Sequence, residues 1–173
     1  MENRKTQYTK SVIRESFLSL LQEKPVEKIT VTALCAKADI NRSTFYAHYL
    51  DVYDLKEKLE QEFFQQMESL FHRTEWESFL PDMLSLLQKN AAFCKAVFGI
   101  HGDPAFLQRC VAAWMDPLPP NTPAEERWRL LFTINGASAV IADWIQAGME
   151  VPPEKPAGTL NRLCSLVGGA TAL

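Results

Sequence analysis

Residues 29–55 read ITVTALCAKADINRSTFYAHYLDVYDL, and this stretch decides the fold of the chain. Two short helical patterns, at 31–38 and 42–49, flank a three-residue turn. Thr30 and Asn41 are suited to cap the two helices, because a side-chain oxygen before a helix can accept from the free amides of its first turn. The second pattern is short and largely polar. The pair therefore predicts a helix-turn-helix whose second helix is exposed.

The predicted second helix carries different side chains on its two sides. Phe45 and Tyr49 are four residues apart, which is the spacing of one helical face, and both are expected in the core. The opposite side centres on Ser43 and Ala47. Small, cationic and hydrogen-bonding side chains there suit contact with the phosphates and base edges of duplex DNA. The candidate DNA-binding residues are Thr30, Thr32, Arg42, Ser43, Thr44, Tyr46, Ala47, His48 and Tyr53.

Ordinary structural roles remain open for several of these residues. Arg42 could fork onto a guanine edge or a phosphate, or lie as an exposed cation beside the turn. The hydroxyls of Ser43 and Thr44 could serve the start of the helix. Tyr46 could be an aromatic residue at the edge of the core. We expect His48 to donate to a phosphate rather than to catalyse, because the sequence places no nucleophile or carboxylate beside it.

The net charge of −3 hides an uneven distribution along the chain. Residues 1–49 hold eight Lys or Arg and five Asp or Glu, whereas residues 61–173 hold eight and twelve. The basic part contains the helix-turn-helix, as phosphate binding requires. Lys5 and Lys10 are candidates for further phosphate contact from an N-terminal arm, with a solvated arm as the alternative. A charge asymmetry of this size alone often marks only a solvated surface.

Composition narrows the class of protein. With 173 residues, 47% hydrophobic and 23% charged, the chain has the composition of a soluble globular protein. The most apolar stretch, 132–149, contains Asn135, Asp143 and Gln146, so no membrane span is expected. The N-terminus lacks the apolar region of a secretory signal. Four dispersed cysteines without a CxxC pair predict free thiols in the cytoplasm and no metal or cofactor.

Helical periodicity continues through the rest of the chain. No strand pattern and no internal repeat interrupt it. Asp51 is expected to cap the helix that follows the quoted stretch. The sequence therefore predicts an all-α fold of about nine helices. Besides the two quoted above, the predicted helices are 9–23, 52–71, 76–88, 91–100, 104–115, 124–147 and 157–167.

A distinctive set of residues runs through the quoted stretch: Ile29, Thr30, Val31, Ala38, Ile40, Arg42, Ser43, Thr44, Phe45, Tyr46, His48, Tyr49, Asp54 and Leu55. The set resembles the DNA-binding domain of the TetR (tetracycline repressor-like) family of bacterial transcription regulators. It is most similar to the subgroup of the dihydroxyacetone kinase regulator, in which some members activate transcription. The resemblance implies a three-helix DNA-binding domain at 1–54 and a helical regulatory and dimerisation domain at 55–173.

Two positions depart from the common pattern of that family. Many members have Gly in the turn where this chain has Asp39, and Asp tolerates left-handed backbone angles at a cost of roughly 1 kcal/mol relative to Gly. Many members also have a phosphate-binding Lys where this chain has Val52. Tyr53, or the amides at the start of the fourth helix, is the expected replacement.

The resemblance further implies an effector cavity and a two-fold interface in the C-terminal domain. Seven apolar residues are candidates for the lining of the cavity, and a place in the ordinary hydrophobic core is an equal alternative for them. They are Met67, Phe71, Met83, Phe93, Phe98, Phe106 and Trp114. Eight residues are candidates for the dimer interface, and burial inside one subunit is the alternative for them. They are Gly136, Ala137, Val140, Ile141, Trp144, Leu160, Leu163 and Val167.

The expected function is that of a homodimeric transcription regulator that binds a near-palindromic operator in double-stranded DNA. Repression is the expected sign of control. The DNA affinity of the regulator would be controlled through the C-terminal domain by a small-molecule effector. One alternative is a DNA-binding regulator or co-activator whose C-terminal domain binds a protein partner. A small helical enzyme is a distant alternative, because no metal-ligand spacing, phosphate loop or nucleophile–base pair is visible.

Overall fold

A computed structural model describes residues 4–71, 76–99, 104–115, 119 and 121–167. Within these ranges the secondary structure is helical and no strand occurs, so the predicted all-α fold is confirmed. The elements are α1 (Arg4–Glu23), a 3-10 turn (Val26–Lys28), α2 (Val31–Ala38), α3 (Arg42–Tyr46), α4 (Val52–Phe71), α5 (Trp76–Lys89), α6 (Ala91–Val97), α7 (Pro104–Met115), α8 (Ala124–Gln146) and α9 (Glu154–Leu166).

Two helices begin earlier than the sequence predicts. The hydroxyl of Thr9, the predicted first residue of α1, donates to the Lys5 carbonyl at 3.0 Å, and the helix begins at Arg4. This early turn is exposed, so no apolar period marks it in the sequence. In α9 the first residue is Glu154 and Pro156 lies in the first turn, where its missing N–H leaves no helical bond unmade.

The described residues within 1–66 and 92–102 form one compact unit. Each of its first four α-helices contributes a side chain that is almost completely buried, namely Phe17, Leu34, Phe45 and Leu55. Burial of each such side chain favours folding by about 1.5–3 kcal/mol. A small core of this kind fixes the short helices α2 and α3, which are too short to be stable alone.

The described residues within 67–91 and 103–173 form the second unit. In this unit α5 packs against α9, and α8 packs against both α7 and α9. Leu80 and Leu84 of α5 are fully buried, as are Ile145 of α8 and Leu160 of α9. The apolar faces of these helices therefore supply the core of the unit.

A tight connection joins α8 to α9. Gly148 and Met149 both have positive φ, 84° and 59°, and the Met149 amide donates to the Trp144 carbonyl at 3.0 Å. The indole N–H of Trp144 donates to the Val151 carbonyl at 2.8 Å. These bonds terminate α8 and fix the direction in which the chain leaves it.

Two kinds of feature are absent from the described residues. None of their helices has the length and apolarity needed to span a bilayer. No three of their His, Cys, Asp and Glu side chains are gathered as metal ligands would be. Cys35 and Cys164 are buried, and burial raises the pKa of each thiol.

Candidate nucleic-acid interface

Helix α2 is positioned by its N-cap. The side chain of Thr30 accepts a hydrogen bond from the Ala33 amide at 3.1 Å, as predicted. The cap satisfies one of the amides that the first turn of any helix leaves open. This candidate DNA-binding residue therefore has a structural role as the cap of α2. Its side chain is also exposed to solvent.

The turn after α2 depends on Asp39. Its φ and ψ are 51° and 48°, the left-handed conformation that the sequence comparison anticipated. The Ile40 amide donates to the Cys35 carbonyl at 3.0 Å and the Asp39 amide to the Ala36 carbonyl at 3.4 Å. These are the two bonds of a Schellman motif, which ends α2 and redirects the chain into α3.

Helix α3 is shorter than predicted and its cap is different. The predicted range was 42–49, but α3 ends at Tyr46. The side chain of Asn41 makes no capping hydrogen bond, contrary to expectation. Its backbone carbonyl instead accepts from the amides of Thr44 and Phe45, at 3.0 and 3.2 Å. The prediction of a side-chain cap at Asn41 was therefore wrong.

Two hydrogen bonds that would continue α3 are replaced by others. The His48 amide donates to the Phe45 carbonyl at 2.9 Å and not to the Thr44 carbonyl. Continuation of α3 would need the Leu50 amide to donate to the Tyr46 carbonyl, but that amide donates to the Asp54 carboxylate at 2.9 Å. Asp51 caps α4 as predicted, since its Oδ1 accepts from the amides of Tyr53 and Asp54, both at 2.8 Å. The start of α4 therefore takes up the Leu50 amide, so a further turn of α3 does not form after the break at His48.

Lys58 of α4 connects the end of α3 to this cap. Its Nζ lies 2.9 Å from Asp54 Oδ2 and 3.3 Å from the His48 carbonyl oxygen, and 5.2 Å from the centre of the Tyr49 ring. The pKa of Asp54 is lowered by its hydrogen bond with Lys58 and then by that with the Leu50 amide. The sequence analysis missed Lys58, although the i, i+4 spacing of Asp54 and Lys58 was a signal that could have found it.

The outward side of α3 is open to solvent. Phe45 is completely buried and packs edge-on against Tyr46, at 5.6 Å between ring centres. Tyr46 itself is 56% exposed, and Ser43 and Ala47 are also exposed. Phe45 and Tyr49 are both buried, so the prediction that they belong to the core is confirmed. Their burial fixes α3 with its small and polar side chains outward.

Arg42 and Thr32 meet across the turn. The Arg42 Nη2 donates to the Thr32 Oγ1 at 2.6 Å, although the two residues are ten positions apart in the chain. Tyr53, at the start of α4, is 52% exposed. All nine candidate DNA-binding residues belong to the first unit and are exposed or half-buried: Thr30, Thr32, Arg42, Ser43, Thr44, Tyr46, Ala47, His48 and Tyr53.

His48 lines a polar cleft of about 260 Å³ together with Lys10, Tyr49, Lys58 and side chains of α4. Lys10 is part of α1 and not of a separate arm, because α1 already begins at Arg4. The same holds for Lys5. The predicted N-terminal arm is therefore helical over the described residues. Lys10 contributes charge beside the end of α3.

The candidate effector residues are divided between the two units. Phe93 and Phe98 belong to the first unit, where the Phe93 ring lies 4.9 Å from that of Phe63. Met67, Met83 and Phe106 belong to the second unit and are buried. The side chains of Phe71 and Trp114 lie outside the described residues. The lining of an effector cavity stays a prediction.

The candidate interface residues differ in exposure. Those buried within the chain are Ala137, Trp144 and Leu160, and those half-buried are Val140, Ile141 and Val167. Gly136 and Leu163 are exposed, and a Cβ at position 136 would meet no atom of the described residues within 4 Å beyond the surrounding turns of α8. Four further large apolar residues of α8 and α9 are exposed and were not predicted as part of the interface: Trp128, Leu131, Phe132 and Leu166.

Comparison with solved structures gives the same fold. A TetR transcriptional regulator from Streptococcus agalactiae 2603V is 24% identical, with a TM-score of 0.63, over 92% of this chain and 95% of that one. The dihydroxyacetone kinase operon activator DhaS is 20% identical, with a TM-score of 0.57, over 90% and 93%. The regulator FadR from Bacillus subtilis in complex with stearoyl-CoA is 13% identical, with a TM-score of 0.58, over 93% and 99%.

Sequence comparison assigns the family. No curated protein sequence matches the chain. The family model TetR_C_8, described as a transcriptional regulator C-terminal region, matches residues 74–165, which is more than half of the chain. The helix-turn-helix lies before that region. This is a family of regulators and not of enzymes, and the chain belongs to it: it is a TetR-family transcriptional regulator.

Proposed function

We propose that this regulator recognises a specific operator through the outward side of α3 and that it does so as a homodimeric repressor. The observation that carries the proposal is the orientation of α3. Phe45 is fully buried, whereas Ser43, Tyr46 and Ala47 are exposed on the other side. A short helix seated in this way can enter a major groove without displacing core side chains.

The proposal assigns different roles to the N-terminal and C-terminal parts of the chain. Residues 1–54 would bind DNA, and residues 55–173 would dimerise and regulate. In a two-fold dimer the two α3 helices would meet successive major grooves about 34–36 Å apart. The exposed Gly136 and Leu163, 47% exposed, support an interface through α8 and α9, because both face away from the remainder of the described chain.

Regulation would act through the C-terminal domain. The stearoyl-CoA in the FadR structure supports a small-molecule effector for this chain as well. An effector can change DNA affinity only by binding the DNA-competent and DNA-incompetent states unequally. The exposed rings of Trp128 and Phe132 favour a second candidate, a protein partner in place of the small ligand. Thermal-shift measurements with metabolites, beside pull-down on the purified chain, separate the two.

The direct test is selection of duplexes from a random library by the purified full chain. We expect enriched duplexes with two related half-sites, about one helical turn or a small multiple of it apart. Ala47→Gln should weaken binding to them by about tenfold or more, because a long side chain would obstruct the middle of the reading face. Ala92→Gln, the same change at an exposed alanine of α6, is the matched control and should bind as the parent does.

Equal binding by Ala47→Gln and the parent would contradict the assignment of α3 as the reading helix. Enrichment of duplexes with a single half-site would contradict the two-fold arrangement instead. Addition of the purified chain to a transcription reaction on a promoter that carries the selected site tests the sign of control. Repression is the expected outcome.

A further inference from the structure

Arg42 does not extend freely beyond the start of α3. Its Nη2 donates to the Thr32 hydroxyl oxygen at 2.6 Å, so the guanidinium lies over the first turn of α2. Burial raises the pKa of the Cys35 thiol in α2, and the nearby charge of Arg42 offsets part of that rise. The guanidinium is therefore held between the two helices of the motif.

The hydrogen bond leaves donors available on both partners. A guanidinium has five N–H donors and no acceptor, so Thr32 must accept from Arg42 and keeps its own hydroxyl proton. No hydrogen bond from that hydroxyl occurs within the described residues, and no carboxylate there lies within 4.0 Å of Arg42. Thr30 already caps α2, so Thr32 is not needed for that role. The remaining N–H groups of Arg42 and the hydroxyl proton of Thr32 are therefore available as donors.

We propose that Arg42 and Thr32 act as one unit that holds a phosphodiester group of the DNA backbone, with Thr32 as the residue that positions the guanidinium. The inference rests on the proposed DNA-binding function. A phosphate has acceptors only, and a guanidinium fork with a neighbouring hydroxyl matches it. A base edge would instead require Arg42 to leave Thr32 and reach forward from α3.

A backbone contact and a base contact have different consequences. A phosphate contact is the same on every sequence, so its loss weakens binding to the operator and to unrelated duplexes by similar factors. It also lowers the slope of log affinity against log salt by about one. Loss of a base contact would weaken binding to the operator alone.

The test uses the full chain with two probes, a duplex that the parent selects from a random library and a scrambled duplex of equal length and composition. Arg42→Ala should weaken binding to both by about tenfold and lower the salt slope by about one. Arg42→Lys should keep the parent's slope, because it keeps the charge, while losing part of the affinity. Thermal unfolding should be near that of the parent, since both residues are exposed.

Thr32 is tested by rescue and by combination. Thr32→Val should weaken binding to both probes, and Thr32→Ser, which keeps the hydroxyl, should bind as the parent does. Thr32→Val should have little further effect in the Arg42→Ala background, because a positioning residue acts through the group that it positions. A residue that only stabilised the fold would weaken binding in both backgrounds.

Three results would overturn the inference. The first is an Arg42→Ala variant that binds the scrambled duplex as well as the parent does, since this indicates base recognition. The second is a full, independent loss from Thr32→Val in the Arg42→Ala background. The third is a parent chain that selects no duplex, which would overturn the proposed function and this inference with it.

Discussion

At the scale of single residues, Asp39 combines a necessary backbone conformation with a non-glycine side chain. Its φ of 51° lies in the left-handed region, which is costly for a side chain that has a Cβ. The Schellman bonds that end α2 require this conformation, so the residue cannot relax without moving α3.

We therefore expect Asp39→Gly to raise the free energy of unfolding by about 0.5–1 kcal/mol, and Asp39→Ala to lower it by a similar amount. Urea unfolding of the three chains measures the difference. Equal midpoints for the glycine and alanine variants would contradict a strained turn. Because Asp39 is exposed, neither change removes a buried contact that would obscure the result.

Trp144 is the second residue whose role can be isolated. Its indole N–H donates to the Val151 carbonyl, and its ring is buried. Trp144→Phe keeps most of the ring and removes the donor, so we expect a loss of about 0.5–1.5 kcal/mol from the hydrogen bond, with a further loss from the smaller ring. Thermal or urea unfolding gives the value.

Trp128→Phe is the matched control for this substitution, because Trp128 lies on α8 too but is 63% exposed. Its stability should stay within about 0.5 kcal/mol of the parent. If the two variants lost equal stability, the hydrogen bond from Trp144 to the Val151 carbonyl would not contribute measurably to the stability of the fold.

At the scale of elements, the junction between α3 and α4 is controlled by one carboxylate. Asp54 accepts from the Leu50 amide and from Lys58, and both contacts favour its charged form. The pKa of Asp54 is therefore lowered in the folded chain, and the hydrogen bond with Lys58 is the largest cause. The stabilisation is fully present above the carboxyl group's ordinary pKa, and it is lost as pH falls through the lowered folded value.

It follows that Asp54→Asn should be less stable than the parent near neutral pH and that the gap should close in acid. Denaturant midpoints measured from about pH 7 down to about pH 2 test this. Glu57→Gln removes one negative charge from the exposed side of the same helix and controls for net charge. A gap that stayed constant with pH would mean that the charge of Asp54 has no part in the junction.

The sequence was sufficient to predict several features whose signals are local, although not the cap at Asn41. The spacing of Phe45 and Tyr49 predicted the buried side of α3, and the hydroxyl of Thr30 predicted the cap of α2. The end of α3 could not be predicted in this way, because other acceptors compete there with the helical carbonyls: the His48 amide donates to Phe45, and the Leu50 amide donates to Asp54 of the next helix. Such competition depends on where two helices meet, which a pattern within one helix does not contain.

The candidate site divides in the same way. Exposure of Tyr46 and Ala47 followed from the helical period, so the reading face was predictable. The contact between Arg42 and Thr32 was not, because it joins two helices through a turn whose geometry is fixed by Asp39. The sequence therefore predicted which side chains face outward but not how they are held.

At the scale of the whole molecule, Gly136 tests the proposed dimer. Glycine inside a helix costs about 0.5–1 kcal/mol relative to alanine, and beyond the surrounding turns of α8 no atom of the described residues lies within 4 Å of a Cβ at this position. Packing against the described part of the chain therefore gives no reason for the missing side chain. A second copy packed closely against α8 would supply the reason for it.

Gly136→Ala should accordingly stabilise an isolated chain, whereas Gly136→Trp should separate the proposed dimer and abolish operator binding without unfolding the subunit. Sedimentation or light scattering gives the mass, and circular dichroism checks that the helices persist. Ala112→Trp, at an exposed position of α7, is the control for a bulky addition and should leave the mass unchanged. If Gly136→Trp had the parent's mass and affinity, α8 could not be the two-fold contact, and the pairing of reading helices would have to come from another surface.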